Sequence, residues 1–200
     1  MTLFQILMFA ASAFFAFRIY QHIQTLKDLE TKDTPEYSSS FDPKILIERA
    51  DEAYEEGDLK KSLELLSEAN AKERNNPDTI FKIGYILQKQ GSTSEALDYY
   101  NQALEIDRDN EYIHNAIASI YRENREFASA KMHLNESLEI NGKNKVTYYN
   151  YGNLLVDMKH FEEAKQMYKK ALEIDHDFSE AKEELDKMEA KTTDENSTNL

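Results

Sequence analysis

Apolar and small side chains recur along residues 43–178 with a spacing of 34 positions. The stretch SEALDYYNQALEID at residues 94–107 returns as EEAKQMYKKALEID at residues 162–175, and a related SLEIN begins midway, at residue 137. Within each unit the apolar residues lie three or four positions apart, which is the spacing of one helix face. The pattern predicts four two-helix units, at residues 43–76, 77–110, 111–144 and 145–178.

Three places in every unit hold only small residues, where a place is the position counted from the start of its unit. Small residues at fixed places allow two helices to approach closely, because a larger side chain would push the backbones apart. The eighth place holds Ala50, Gly84, Ala118 and Gly152, the twentieth holds Ser62, Ala96, Ala130 and Ala164, and the twenty-seventh holds Ala69, Ala103, Ser137 and Ala171.

The two helices of a unit are separated by the polar breaks EEGD, KQGS, ENRE and MKHF. The fifteenth place falls in each break and holds Gly57, Gly91, Arg125 and Lys159. A tight turn with a positive φ angle at this place favours glycine, so Arg125 and Lys159 would each cost about 1 kcal/mol there.

This pattern resembles the tetratricopeptide repeat (TPR) family, whose repeats are 34 residues long. The resemblance covers residues 43–178 and implies an all-α, right-handed α-solenoid whose first helices line a concave side. The first unit departs from the pattern, because Asn70 and Lys72 stand where the other units have leucine and isoleucine. We therefore expect the first unit to act partly as a cap.

The sequence SEAKEELDKMEAK at residues 179–191 follows the fourth unit. Its apolar residues Ala181, Leu185 and Met188 form one stripe, so we predict a capping helix with a polar outer face. The repeat domain would then span residues 43–191. Residues 192–200 contain almost no apolar side chains and are predicted to be disordered.

Residues 3–17, LFQILMFAASAFFAF, carry no charge. A helix from Leu3 to Ile23, with Arg18 reaching the headgroups, would be about 30 Å long and would span a bilayer. We predict a single transmembrane helix and stalk over residues 1–30, followed by a linker over residues 31–42, TKDTPEYSSSFD. A cleaved signal peptide and a helix docked into the protein's own groove are the alternatives.

The positive side chains flanking this segment, Arg18, Lys27 and Lys32, all follow it. The positive-inside rule then puts the N-terminus outside and the repeats in the cytoplasm. Export of the repeats to the periplasm, as an assembly factor or chaperone-like protein, is the alternative. Ser12 and Ala16 form a small-xxx-small pair, which suggests a weak homo-oligomer through this helix as against an uncommitted stalk.

The net charge of −14 argues against binding nucleic acid, because an acidic chain repels phosphate. The chain has no cysteine, and its five histidines form no metal-binding motif. No glycine-rich phosphate loop or catalytic constellation is present. We therefore expect no enzyme activity, metal or cofactor.

The remaining candidate is the concave groove that the resemblance implies. The family's clamp for acidic chaperone tails needs lysine and asparagine at the fifth and ninth places of the first unit, where this chain has Ile47 and Asp51. We expect instead a protein or peptide segment with apolar anchors, bound by rigid aromatic and amide side chains. The candidate groove residues are Tyr54, Phe81, Tyr85, Gln88, Lys89, Tyr112, Asn115, Ser119, Arg122, Tyr149 and Asn153.

Overall fold

The structure, a computed structural model, describes residues 42–197 and the side chains of residues 42–190. The described residues form helices and short connections without a strand. The helices are α1 (Pro43–Glu55), α2 (Leu59–Lys72), α3 (Pro77–Lys89), α4 (Thr93–Ile106), α5 (Glu111–Glu123), α6 (Phe127–Ile140), α7 (Lys145–Asp157), α8 (Phe161–Ile174) and α9 (Ser179–Ser197). The odd-numbered helices α1 to α7 begin at the first residues of the four predicted units.

Each of these four first helices is capped by the residue before it. The side chains of Asp42, Asn76, Asn110 and Asn144 accept hydrogen bonds from backbone N–H groups in the first turn of the following helix. Such caps satisfy donors that have no partner within the helix. The same side-chain N-cap therefore marks the start of every repeat.

The turn between the two helices of a repeat has the left-handed backbone that the fifteenth place suggested. The φ angles are 81° at Gly57, 84° at Gly91, 63° at Arg125 and 64° at Lys159. Just after each turn, a backbone N–H donates to the carbonyl oxygen of the eleventh place, over 2.8–2.9 Å. The expected strain at Arg125 and Lys159 is thus present in the fold.

The core lies between paired helices, and the eighth and twenty-fourth places fill it in two ways. In repeat 2 the ring of Tyr100 lies against Gly84, where a Cβ atom would come within 2.8 Å of ring carbons. In repeat 4, a Cβ on Gly152 would lie 2.5 Å from Cε1 of Tyr168. Repeats 1 and 3 instead bury the pairs Ala50 with Leu66 and Ala118 with Leu134.

Both ends of the array carry charge where the inner repeats carry apolar side chains. Arg49 and Glu52 of α1 are exposed at the seventh and tenth places, which are buried isoleucines in repeats 2 and 3. Helix α9 buries Ala181 against repeat 4, as a further first helix would. It exposes Asp186 at the place equivalent to Gly152, so its charged side receives no partner helix among the described residues.

The C-terminal helix is longer than the sequence predicted. Helix α9 continues to Ser197, so residues 192–197 are helical rather than disordered. The prediction was wrong because it counted apolar side chains, which decide burial. A solvated helix end needs only the backbone hydrogen bonds that continue from the preceding turns.

The predicted transmembrane helix, stalk and most of the linker lie in residues 1–41, outside the described part of the chain. Within residues 42–197, no helix combines the length and apolar character that crossing a bilayer requires.

Candidate functional site

Helices α1, α3, α5 and α7 share one surface, which we call the first-helix face. Ion pairs connect these helices across repeat boundaries. Lys82 Nζ lies 2.7 and 2.5 Å from the two carboxylate oxygens of Asp51, and Arg122 Nη1 lies 2.6 Å from Asp157 Oδ2. Both pairs are substantially exposed, so they align neighbouring helices more than they stabilise the fold.

Aromatic side chains on this face meet at the boundary between repeats 1 and 2. The hydroxyl oxygens of Tyr54 and Tyr85 are 3.1 Å apart, and the rings make an edge contact with centroids at 5.7 Å. The hydrogen bond to Tyr85, followed by burial, raises the pKa of Tyr54. Lys89 Nζ lies 5.2 Å from the centroid of the Tyr85 ring. These three predicted site residues therefore form one cluster.

Phe81 and Gln88 of α3 both contact Tyr100, which belongs to the second helix of the same repeat. The Phe81 and Tyr100 rings pack with centroids at 5.4 Å. The Tyr100 hydroxyl donates to Gln88 Oε1 over 2.9 Å. Burial raises the pKa of Tyr100, with smaller contributions from Tyr85 and Glu123. Phe81 is half-buried, so it serves the interior as well as the face.

Repeat 4 repeats this arrangement with Tyr149 and Asn153. The Tyr149 ring packs between Tyr168 and Phe178, with centroid distances of 5.9 and 5.4 Å. The Tyr168 hydroxyl donates to Asn153 Oδ1 over 2.8 Å. Burial raises the pKa of Tyr168 as it does that of Tyr100. Tyr149 and Asn153 are thus fixed from behind by buried aromatic side chains.

The predicted site residues of repeat 3 separate into surface and interior. Tyr112 is 59% exposed, the highest value among the large apolar side chains of the described residues. Ser119 Oγ donates to Glu123 Oε1 over 3.3 Å, and Arg122 is held by Asp157. Tyr112 therefore offers a free aromatic surface, while the polar residues beside it are already hydrogen-bonded.

Asn115 does not belong to the exposed face, which corrects the prediction. It is only 5% exposed, and its Nδ2 atom donates to Ser137 Oγ over 2.9 Å and to Thr147 Oγ1 over 2.7 Å. Asn150 Nδ2 donates to its Oδ1 over 3.1 Å. The serine at the twenty-seventh place supplies a buried partner, so this amide turns inward and joins repeats 3 and 4.

Sequence reasoning missed several residues of this face. Lys82 and Asn150, both at the sixth place, reach back to the preceding repeat. The signal was the opposite charges of Asp51 and Lys82, 31 positions apart. Tyr100 and Tyr168 also escaped notice, because their twenty-fourth place predicted packing alone.

A pair of histidines joins the two helices of repeat 3. His114 Nδ1 and His133 Nδ1 are 3.0 Å apart, and Tyr121 stacks on His133 with centroids at 5.6 Å. Burial, and then the neighbouring His114, lower the pKa of His133, against an opposing effect of Glu136. Among the described residues no three acidic or histidine side chains are arranged to hold a metal ion. The two histidines make a polar contact between α5 and α6.

Stacked two-helix units with aromatic and amide side chains along one face define a helical-repeat binding scaffold. The chain belongs to the tetratricopeptide repeat family, since models described as "Tetratricopeptide repeat" match residues 53–120 and residues 111–176. Together these matches cover more than half of the chain. No curated protein sequence matches it.

Solved structures with the same fold include MamA from Desulfovibrio magneticus RS-1, which is 16% identical, with 78% of this chain and 88% of that chain covered and a TM-score of 0.62. A tetratricopeptide repeat protein from Parabacteroides merdae is 29% identical, with 74% and 60% covered and a TM-score of 0.59. The first TPR of Spaghetti (RPAP3), bound to an HSP90 peptide SRMEEVD, is 26% identical, with 60% and 96% covered and a TM-score of 0.55.

The family and these similar structures identify the chain as a protein-binding scaffold and not an enzyme.

Proposed function

We propose that this protein is a membrane-tethered scaffold that binds a segment of a partner protein on its first-helix face and assembles a complex at the cytoplasmic side of the membrane. The observation that carries the binding site is the row of aromatic side chains on this face. Tyr54 and Tyr85 lie at one end of it and the exposed Tyr112 further along. Rigid rings give a large contact area for little loss of side-chain entropy.

The partner differs in chemistry from the acidic peptide bound by the RPAP3 repeat. Ile47 is half-buried at the fifth place of repeat 1, and Asp51 is bonded to Lys82 at the ninth. Neither side chain offers a positive charge or a free amide to a carboxylate. An apolar segment, neutral or basic, suits a face whose chain carries a net charge of −14.

The tether is supported by the uncharged run in residues 3–17 and by the positive side chains that follow it. A bilayer anchor raises the local concentration of the scaffold near membrane-associated partners. A modest affinity of the first-helix face is then sufficient for assembly.

The binding site is tested by crosslinked pull-down from membranes with the variant Tyr112→Ala. We expect loss of partner capture with little change in thermal unfolding, because the ring is mostly exposed. Met132→Ala is the matched control, since Met132 is 53% exposed on the second helix α6. Capture that falls with Met132→Ala and not with Tyr112→Ala would assign binding to the other surface.

The topology is tested separately by fusing reporters to the C-terminus. We expect activity from a reporter that functions in the cytoplasm and none from one that functions only outside it. The opposite result would support the periplasmic alternative. Full-length, uncleaved protein in the soluble fraction would contradict the proposed membrane tether.

A further inference from the structure

Two amides of the first-helix face, Gln88 and Asn153, are held by tyrosines that reach them from the second helices. Tyr100 and Tyr168 are fully buried, yet their hydroxyls end at these amides, at 2.9 and 2.8 Å. The same construction thus occurs in repeats 2 and 4, and repeats 1 and 3 have leucine in place of the tyrosine. Its recurrence with two different amides, at different places, points to the tyrosine hydroxyl as the common element.

The glycine at the eighth place makes this reach feasible. A Cβ atom on Gly84 or Gly152 would lie within 3.0 Å of the tyrosine ring carbons, so the ring occupies the volume that the missing side chain leaves. The ring can therefore lie directly against the backbone of the first helix. Its hydroxyl then lies within hydrogen-bond distance of an amide side chain of that helix, Gln88 in repeat 2 and Asn153 in repeat 4.

The direction of each hydrogen bond follows from burial. A buried phenol with one hydrogen-bond partner must donate its proton to that partner, or the proton stays unsatisfied. Burial also raises the pKa of both phenols, which keeps the proton in place. The carbonyl oxygens of Gln88 and Asn153 therefore face the tyrosines. Their NH₂ groups therefore point away from the tyrosine rings, and neither NH₂ group has a hydrogen-bond partner among the described residues.

Resting on the proposed function, we infer that Tyr100 and Tyr168 are positioning residues that aim the NH₂ groups of Gln88 and Asn153 at the bound segment, where they donate to its main-chain carbonyl oxygens. Donors held in one orientation lose less entropy on binding than free amides do. Carboxylate acceptors are less suitable, because a negative charge already acts on each phenol. It comes from Glu123 at Tyr100, and at Tyr168 first from Glu184, partly opposed by Arg122. Neutral carbonyls of an extended segment fit this environment.

The ligand-free protein provides the first test, by ¹⁵N relaxation of side-chain amides in the full-length chain in detergent micelles. We expect the NH₂ groups of Gln88 and Asn153 to be restricted, and that of the exposed Gln102 to be mobile. Tyr100→Phe should free Gln88 and leave Asn153 restricted, while Tyr168→Phe should do the reverse. Wild-type amides as mobile as Gln102 would overturn the positioning role, whatever the protein binds.

The second test uses a peptide selected on the wild-type chain from a random linear library. Tyr100→Phe should weaken its binding about five- to tenfold, the effect expected for one oriented hydrogen bond. Gln88→Ala should weaken binding at least as much, and combining the two changes should add little. Tyr99→Phe is the matched control, because Tyr99 is the neighbouring tyrosine on α4 and its hydroxyl has no hydrogen bond among the described residues.

The two proposals fail separately. A selected peptide that binds the Tyr112→Ala variant as tightly as wild type counts against the first-helix face as the binding site, and so does a selection that yields no peptide. In either case the relaxation experiment still decides the positioning role. A peptide that needs Tyr112 but binds the Tyr100→Phe and Tyr168→Phe variants as tightly as wild type overturns the positioning role and leaves the binding site intact. Replacing single peptide bonds by esters, which are weaker acceptors, should reduce binding at the carbonyls that receive them.

Discussion

Repeats 2 and 4 differ from repeats 1 and 3 at one pair of places in the core. The former combine glycine at the eighth place with tyrosine at the twenty-fourth, and the latter combine alanine with leucine. Both pairs are buried and occupy equivalent positions between the two helices of a repeat. In repeats 1 and 3 the alanine methyl and the leucine side chain together fill the volume that the tyrosine ring fills in repeats 2 and 4.

The comparison shows that one fold accepts two solutions for the same volume, but with different consequences at the surface. The leucine pair ends inside the core. The tyrosine pair instead ends in a hydroxyl that donates to an amide side chain of the first helix. A change that is conservative for packing therefore alters which side chains of the first helix are held by a hydrogen bond.

The largest effect is expected from giving repeats 2 and 4 the alanine of repeats 1 and 3. Gly152→Ala and Gly84→Ala should destabilise by about 2–3 kcal/mol through overpacking, although alanine is the better helix former. The effect should be larger at Gly152, where the contact is 2.5 Å rather than 2.8 Å. Chemical denaturation measures both.

The control for this change is the double variant Gly84→Ala with Tyr100→Leu, which reproduces the pair of repeat 1. It should recover most of the loss, since alanine and leucine fit together there. A double variant no more stable than Gly84→Ala would mean that the two pairs are not interchangeable.

A second prediction concerns a place where the two kinds of repeat are alike. Ala96 and Ala130 are fully buried at the twentieth place of repeats 2 and 3. Ala96→Leu and Ala130→Leu should therefore cost similar amounts, roughly 1–3 kcal/mol each, by overpacking. Ala128→Leu, on the exposed side of α6, should change the free energy of unfolding little. Unequal costs would show that the difference between repeats extends beyond the glycine–tyrosine pair.

A smaller, pH-dependent effect should distinguish repeat 3 from repeat 1. Because burial lowers the pKa of His133 in the folded state, the unfolded chain binds the proton more readily. Stability should therefore fall as the pH drops through the unfolded value of about 6.5. Replacing His114 and His133 by the leucines of repeat 1 should reduce this loss, as measured by denaturation at several pH values. The exposed His160→Gln is the control, and an equal reduction there would contradict the assignment.

The smallest effects should come from the turns. Lys159→Gly should stabilise by up to about 0.5 kcal/mol, because glycine tolerates the positive φ angle but gains entropy on unfolding. Gly91→Ala should destabilise by about 1 kcal/mol, purely through the backbone, because nothing lies within 4 Å of its added Cβ. Thermal unfolding resolves both signs. A stabilising effect of Gly91→Ala would contradict the assignment of backbone strain to this turn.

The helices were predictable because the 34-residue spacing and the small residues repeat four times, so local errors average out. The turn conformation at Arg125 and Lys159 was predictable for the same reason, since glycine marks this place in the other two repeats. The repeat places put Tyr54, Tyr85 and Lys89 on the first helices, but the contacts among their side chains come from the structure.

The inward turn of Asn115 was not predictable from its place, because it depends on Ser137 and Thr147 in other helices. The hydrogen bond of the Tyr100 hydroxyl was not predictable either. Sequence spacing gives the helix face on which the ring lies, but not the position of its hydroxyl oxygen. The transmembrane helix predicted for residues 1–30 lies outside the described residues and stays a prediction.

The charged side chains at the two ends of the array restrict how such a chain can lengthen over evolutionary time. A copy appended before Arg49 and Glu52, or after Asp186, would enclose unpaired charge in a new junction, at a cost of several kcal/mol per ion. A duplication of repeat 2 or 3 placed between its neighbours meets apolar surfaces on both sides. Descendants with more repeats should therefore carry their extra copies in the middle, between termini that stay the same.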